Sequence, residues 1–205
     1  MKVSEFRNII FDFGGVIINI DFQRSIDAFK RLGAENFEQI YSKAAQSGVF
    51  DELDKGNLTQ EEFIEQMKKL LPGHVTGQQV IDAWNDILID IPAKRIRLLK
   101  EIRSKYRIFL LSNTNVIHYA VYNEWMRNDF GYPDFKGLFE DTFLSYRIGM
   151  RKPDPKIFEL VFQKNALKRE ETLCIDDSLH IVQATRSYGI PSYWLQEGED
   201  VCELF

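Results

Sequence analysis

Four apolar stretches of this sequence lead into polar side chains of the types that bind phosphate and metal ions. The first stretch, IIFDFGGV, carries Asp12, which is followed closely by Gly14 and Gly15. The other three lead into Ser112 and Asn113, into Arg151 and Lys152, and into Asp176, Asp177 and Ser178. An unpaired carboxylate in an apolar environment costs several kcal/mol, so Asp12 needs either a cation beside it or a chemical role.

The residue types at these four places predict a site for a magnesium ion and a phosphate group. Three carboxylates around one position suit Mg²⁺, because this hard cation prefers oxygen ligands and shares them with water and phosphate oxygens. A lysine and a hydroxyl at the same position would bind the remaining phosphate charge, together with N–H groups at helix starts. A carboxylate held beside Mg²⁺ can attack phosphorus and become an aspartyl phosphate. Asp12 is the candidate, since two glycines let the backbone after it turn sharply toward a ligand.

Five short runs rich in β-branched and aromatic residues predict the strands that position these side chains. The runs are FRNIIFDF, YRIFLLSN, DTFLSY, ETLCID and IPSYWL. Helical patterns separate the last four runs, and alternating strands and helices predict a parallel sheet, because parallel strands need a crossover. Ligands bind outside the carboxyl ends of parallel strands, so the predicted sheet brings the four polar groups to one edge.

The segment between the first two strands predicts helices and no strand. The stretch QEEFIEQMKKLL places its apolar residues on one face and begins with a capping box of Thr59 and Glu62. QQVIDAWNDILI repeats this pattern, two more helices are predicted near 22–32 and 37–45, and SGVFDELDKGNLT is interpreted as a loop. We therefore predict an α/β fold with a Rossmann-like three-layer core and a parallel sheet. The core comprises residues 1–19 and 93–205, and a small helical cap, residues 20–92, is inserted after the first strand.

The composition argues against several other classes of protein. A chain of 205 residues suits one large α/β domain or a core with an insert, and a net charge of -5 gives no footprint for nucleic acid or an anionic membrane. Two cysteines, Cys174 and Cys202, do not make a disulfide framework. The first residues are too polar for a signal peptide, and no stretch approaches ~18 apolar residues. We expect a cytoplasmic protein whose partner is a small molecule.

The four motifs, in this order, resemble those of the haloacid dehalogenase superfamily of hydrolases. The matching segments are IIFDFGGV, LLSNTN, RKPDP and CIDDS, and the helical insert is similar to the superfamily's helical cap. The resemblance implies a Mg²⁺-dependent phosphatase that acts on a small phosphorylated metabolite, such as a sugar phosphate. It implies Asp12 as nucleophile, Lys152 as the catalytic cation, Ser112 and Asn113 as substrate-binding residues, and Asp12, Gly14, Asp176 and Asp177 as metal ligands.

Gly14 departs from the usual pattern of the superfamily. Phosphatases of this superfamily normally carry a second aspartate there, which serves as general acid and base. The Gly14 carbonyl can still bind the metal, but no side chain remains for proton transfer, a step that typically contributes about 10²–10⁴-fold. The subgroup with FDxGxV, which includes enzymes resembling the bacterial α-glucose-1-phosphate phosphatase, nevertheless keeps activity. Sugar 1-phosphates and acyl phosphates release weakly basic groups, so Gly14 favours such substrates.

Alternatives to this interpretation remain open. A metal-independent dehalogenase, in which Asp12 displaces halide from carbon, would not need the carboxylate pair of Asp176 and Asp177. A binding or regulatory protein with weakened catalysis is compatible with Gly14. A phosphorylated-aspartate receiver would have its acidic pair after the first strand and no helical insert. Arg151 competes with Lys152 for the charge role, and the resemblance favours Lys152. His118, one turn into the helix after LLSNTN, is a candidate proton donor.

Overall fold

The computed structural model describes residues 2–38 and 48–205. The strands in these ranges are β1 (Asn8–Phe11), β2 (Asn19–Ile20), β3 (Leu88–Asp90), β4 (Arg107–Ser112), β5 (Asp141–Leu144), β6 (Thr172–Asp176) and β7 (Ser192–Trp194). Five of them form one parallel sheet in the order β5-β4-β1-β6-β7. The strand that carries Asp12 at its end is therefore the central one, with β4 and β6 on either side.

The α-helices whose bounds lie within the described residues follow in chain order. They are α1 (Phe22–Arg31), α2 (Val49–Asp54), α3 (Gln60–Lys68), α4 (Gly77–Asn85), α5 (Ala93–Ile102), α6 (Val116–Phe130), α7 (Ser145–Ile148), α8 (Pro155–Asn165) and α9 (Leu179–Ser187). Capping accounts for the starts of two helices. The Asp154 side chain accepts from the Lys156 N–H before α8, and Thr59 forms the predicted capping box with Glu62 before α3. None of the helices in the described ranges is long and apolar enough to cross a membrane.

The central strand is buried on both faces of the sheet. Side chains alternate along a strand, so Ile9 and Phe11 join one apolar cluster while Ile10 joins the other. Helices α5 and α6 contribute to the first cluster, and α8 contributes to the second. The sheet is thus covered on both sides, as expected for parallel strands. The predicted α/β fold, with a three-layer core around a parallel sheet, is confirmed.

The cap helices pack around an apolar cluster of their own. Aromatic rings dominate it: Phe29 stacks on Phe37 at 4.1 Å between centroids, and Phe50 lies 4.8 Å from Trp84. Ile117 of α6 also belongs to this cluster, so the cap rests on the helix that follows the LLSNTN motif. These separate clusters support the division of the chain into a core and an inserted cap, which remains a prediction.

Two predicted features of the cap are wrong. The helical stretch QQVIDAWNDILI is predicted to run to Ile89, but α4 ends at Asn85 and Leu88–Asp90 form β3, antiparallel to β2. Apolar residues at 87 and 88 are compatible with a helix or a strand. Pairing with β2, which is distant in the sequence, favours the strand. The stretch interpreted as a loop contains α2, whose Phe50 and Leu53 are buried. Most of the helix predicted near 37–45 lies outside the described residues.

Candidate active site

Asp12 lies at the carboxyl end of β1, in the wall of a cavity of about 460 Å³ between the sheet and the cap. Its N–H donates to the Ile175 carbonyl of β6 at 2.9 Å, which fixes the chain beyond the end of the strand. The turn that follows includes Gly15 at φ +70°, and a Cβ there would lie 2.0 Å from Asp177 Oδ2. Only glycine allows this close approach, so the turn after Asp12 packs directly against the carboxylate of Asp177.

Lys152 is the buried cation of the site. Its Nζ lies 2.9 Å from Asp12 Oδ1 and donates to Asp176 Oδ2 at 2.6 Å. Burial alone would lower its pKa, but the two carboxylates raise the pKa of Lys152 above its ordinary value, so the ammonium stays charged. The backbone of Lys152 is held by the Asn113 side chain, which accepts from the Lys152 N–H at 2.8 Å and donates to its carbonyl at 2.9 Å.

Asp12, Asp176 and Asp177 form an acidic cluster in which one carboxylate oxygen from each residue lies within 4.8 Å of the others. The Asp176 Oδ1 also accepts from the Ser178 N–H at 2.9 Å. Burial raises the pKa of Asp12 to about 7, against the opposing effect of Lys152, and burial with the Asp176 charge raises the pKa of Asp177 to about 6. A cluster of hard oxygen donors that resists ionisation on its own fits a divalent cation such as Mg²⁺.

The loop after β4 brings the remaining predicted residues to the same cavity. Ser112, Asn113 and Gly14 all line it together with Asp12 and Asp177. Ser112 ends β4 and is buried. The cavity therefore joins most of the residues predicted from the sequence, and Lys152, which contacts Asp12, connects it to Asp176. The individual roles of these residues remain predictions.

Comparisons with known proteins agree with this arrangement. A family model described as haloacid dehalogenase-like hydrolase matches residues 6–189. The chain belongs to this family. The D-ribitol-5-phosphate phosphatase of Bacteroides thetaiotaomicron is 30% identical over 95% of this chain and 94% of that protein. The predicted family and enzyme class, a hydrolase of this superfamily, are confirmed.

Solved structures place the hydrolase in the same family. A Bacteroides thetaiotaomicron enzyme of the family, in complex with magnesium and inorganic phosphate, matches with a TM-score of 0.85 and 37% identity, covering 98% of this chain and 99% of that one. An L-2-haloacid dehalogenase matches with a TM-score of 0.61 and 14% identity over 93% of this chain and 86% of that one, which shows a shared fold alone.

The structure separates the two cations that competed for the charge role in this hydrolase. Lys152 contacts Asp12, whereas the Arg151 Nη1 lies 3.2 Å from Asp51 Oδ1 and 3.8 Å from Asp54 Oδ2, both on α2 of the cap. The side chains of these adjacent residues therefore contact different parts of the structure. Lys152 belongs to the acidic cluster, and Arg151 links the core to the cap.

His118 lines the cavity but is poorly suited to donate a proton as a cation. Its Nδ1 forms a 2.9 Å hydrogen bond with Asn85 Oδ1, and its ring stacks on Trp84 at 4.8 Å between centroids. Burial lowers the pKa of His118 to about 3, so the imidazole is neutral near pH 7. Its contacts make it a link between α6 and the cap.

Asp54 lines the cavity and was missed in the sequence. Its Oδ1 accepts from Asn115 Nδ2 at 3.0 Å. Burial raises the pKa of Asp54 above its ordinary value, while Arg151 and Asn115 oppose that shift. The residue lies in the stretch interpreted as a loop. The spacing of Phe50 and Leu53, three residues apart, was the available signal for a short helix that ends at Asp54.

Proposed function

We propose that this hydrolase is a Mg²⁺-dependent phosphatase that removes the phosphoryl group from a small phosphorylated metabolite through a covalent intermediate on Asp12. The observation that carries the proposal is the acidic cluster with a buried lysine in it. Lys152 contacts two of its three carboxylates, at 2.9 and 2.6 Å. Displacement of a halide from carbon brings no phosphate charge into the site, so it has little use for such a cluster beside the nucleophile.

The proposed reaction has two displacements at phosphorus. An Asp12 carboxylate oxygen attacks phosphorus, the bond to the leaving-group oxygen breaks, that oxygen takes a proton from solvent water, and an aspartyl phosphate forms. A water molecule then attacks that phosphorus and frees Asp12, with inorganic phosphate as the product. In both steps Lys152 neutralises negative charge on the phosphoryl group and positions the Asp12 oxygen. Ser112 and the loop at Asn113 bind phosphate oxygens.

The donor set proposed for the metal is Asp12, Asp176, Asp177 and the Gly14 carbonyl. A bound Mg²⁺ neutralises phosphate charge and favours the ionised carboxylates. The magnesium and phosphate complex of the Bacteroides enzyme supports this assignment. Asp176 also accepts a hydrogen bond from Lys152. This contact would link the position of the metal ion to the position of the catalytic ammonium.

The proposed substrates are phosphates of sugars or sugar alcohols. A cavity of about 460 Å³ lies within the usual range for small-molecule sites, about 300–1,000 Å³. The D-ribitol-5-phosphate phosphatase supports this class. Because that compound is the ester of a primary alcohol, we extend the substrate class beyond the weakly basic leaving groups that Gly14 alone would favour. We also propose a cytoplasmic location, which is supported by the two free cysteines.

Phosphate release from a panel of phosphorylated metabolites, with and without Mg²⁺, tests the function. Asp12→Asn removes the nucleophile, and we expect release to fall by at least about 10³-fold, to a level that Mg²⁺ does not restore. Asp134→Asn is the matched control, because Asp134 caps a 3-10 turn outside the cavity. Wild-type protein that releases phosphate from no member of the panel would reject the proposal and favour a binding protein. Release by Asp12→Asn at the wild-type rate would reject Asp12 as nucleophile.

A further inference from the structure

The cap side of the reaction cavity carries a carboxylate that the proposed phosphoryl chemistry does not use. Asp54 ends α2, its side chain is 16% exposed, and it lines the same cavity as Asp12 and Ser112. It is not part of the acidic cluster proposed to bind the metal. Burying a carboxylate is costly unless it is well paired, so its place in the cavity wall calls for a partner there.

The partners of Asp54 within the described residues leave part of its capacity open. Asn115 Nδ2 donates to Oδ1 at 3.0 Å, and its direction is fixed because Asn115 Oδ1 accepts from two N–H groups at the start of α6. Arg151 Nη1 is 3.8 Å from Oδ2, a distance that favours charge attraction but is too long for a hydrogen bond. An ionised carboxylate offers about four acceptor positions, so Asp54 can accept further hydrogen bonds from a ligand in the cavity.

Arg151 places an open donor beside this open acceptor. Its Nη1 donates to Asp51 at 3.2 Å, while its Nε is buried and has no hydrogen-bond partner among the described residues. A buried donor without a partner costs about 1–3 kcal/mol, so the guanidinium is not fully paired within the described residues. The Arg151 side chain lines the cavity and is 24% exposed, so its accessible part can donate to a ligand there.

Another part of the cavity wall is apolar. Ile18, Ile20, Ile87 and Leu88 contribute to it, and none of these side chains can form a hydrogen bond. A chain of carbon atoms that carries hydroxyl groups has both polar and apolar edges. Such a chain can place C–H groups against the isoleucines and its hydroxyls toward Asp54 and Arg151.

We propose that Asp54 and Arg151 recognise adjacent hydroxyl groups on the leaving group of the substrate, with Asp54 accepting and Arg151 donating hydrogen bonds. This inference rests on the proposed phosphatase function and assigns its specificity for sugar-type phosphates to two residues. The pair selects a polyhydroxylated ester over an alkyl ester of the same length, because only the former satisfies both groups.

The test compares kcat/KM for a pentitol 5-phosphate, n-pentyl phosphate and p-nitrophenyl phosphate. In Asp54→Asn we expect the ratio of pentitol to pentyl activity to fall by about 10–100-fold, the range for a lost hydrogen bond to a charged group. Glu52→Gln is the matched control: it lies on the same helix, its carboxylate accepts from the Asn57 side chain, and it lies outside the reaction cavity. We expect it to keep the ratio within about twofold.

Arg151→Lys gives a second test that does not depend on Asp54→Asn folding. It keeps a positive charge near Asp51 and removes the guanidinium donors, so the same activity ratio should fall again. Circular dichroism and the unfolding midpoint of each variant separate loss of recognition from loss of structure.

Three results would overturn the inference. An unchanged ratio in Asp54→Asn would remove Asp54 from recognition. Equal losses on the pentitol and pentyl esters, with p-nitrophenyl phosphate unaffected, would assign it to proton donation, because p-nitrophenolate needs no proton to leave. Equal losses on all three would make its role structural. Wild-type protein that hydrolyses none of the esters would instead reject the phosphatase function itself, a result visible without any substitution.

Discussion

Two sides of the reaction cavity differ in how rigidly the structure holds their residues. We call Asp12, Asp176 and Lys152 the floor, and Asp54 and Arg151 the cap wall. On the floor, Asp12 and Asp176 follow or end buried parallel strands, and Lys152 contacts both within 2.9 Å. On the cap wall, Asp54 ends a helix of six residues, and Arg151 approaches it only to 3.8 Å. The floor is fixed by the hydrogen-bonded ladder of the core sheet, whereas the cap wall depends on contacts between side chains.

We propose that this contrast corresponds to two tasks. Transfer of a phosphoryl group needs the same distances for every substrate, so its residues belong on the most rigid part of the fold. Recognition of the leaving group has to match one particular molecule and tolerates weaker, adjustable contacts. We therefore expect substitutions on the floor to abolish turnover, and substitutions in the cap to change selectivity or stability.

The largest effect is expected from Lys152→Met. Two buried carboxylates lose their cation, so phosphate release should fall by at least about 10³-fold and the free energy of unfolding by about 3–5 kcal/mol. Lys164→Met is the matched control, because Lys164 pairs with Asp141 but its side chain is 58% exposed. Urea unfolding should show a loss of no more than about 1 kcal/mol for this control. Similar losses of stability and phosphate release in both variants would contradict the idea that the buried cation of the floor matters more than an exposed one.

Gly15→Ala should weaken magnesium use, because its Cβ would displace the Asp177 carboxylate. We expect the Mg²⁺ concentration for half-maximal phosphate release to rise by about 10–100-fold, as for other changes that misorient metal ligands. Gly149→Ala is matched in backbone: its φ is also +70°, but no described atom beyond its chain neighbours lies within 4 Å of the new Cβ. It should lose about 1–2 kcal/mol of stability with an unchanged Mg²⁺ dependence. An unchanged dependence in Gly15→Ala would separate Asp177 from the metal.

The link between core and cap should make the protein sensitive to acid through His118. Its pKa is about 3 when folded and about 6.5 when unfolded, so the unfolded state binds more protons between these values. The contribution of His118 to the free energy of unfolding is fully present above about pH 6.5 and is lost as the pH falls toward 3. At pH 4.5 the loss should be about 2–3 kcal/mol relative to pH 7, and His118→Gln should remove it from urea unfolding curves.

His74→Gln is the control for that measurement, because it removes an exposed histidine of the cap. It should leave the wild-type dependence on pH in place. If His118→Gln unfolds with the same dependence on pH as the wild type, the link between α6 and the cap tolerates a charged imidazole.

The smallest effect is expected from Thr59→Ala at the start of α3. The variant loses the hydrogen bond from the Glu62 N–H to Thr59 Oγ1, which should cost about 1 kcal/mol of stability. Thr59→Ser retains the hydroxyl and should recover most of the loss in thermal unfolding. A fall in phosphate release as large as that of Lys152→Met would show that the floor depends on the cap far more than their separate apolar clusters indicate.

The floor could be predicted from the sequence because its signals are local. Apolar runs that end in Asp12 or Asp176 identify strand ends, and a parallel sheet places such ends on one edge. The choice of Lys152 as the catalytic cation depended on the family resemblance, because the neighbouring Arg151 carries the same charge. The fold then shows that Lys152 is the one that contacts Asp12. The prediction of Asn113 as a substrate-binding residue gave no sign that its side chain would hold the backbone of Lys152.

The cap was harder to predict for a physical reason. Helix α2 has six residues and β3 has three, too few for a hydrophobic period to be distinguished from chance. Strand β3 also depends on β2, about 70 positions earlier, and no local pattern carries that information. Asp54 was missed with the short helix to which it belongs.

The pairing of β2 with β3 brings the chain's exit from the core and its return to the core side by side. Asn19 Nδ2 donates to Asp90 Oδ1 at 2.7 Å across this junction, so everything between them is a loop with neighbouring ends. The entropy of closing a loop grows only slowly with its length, and the order of the core strands is independent of what the loop contains. We therefore expect the insert to behave as an exchangeable module, whose replacement would give the same phosphoryl-transfer chemistry a new substrate range.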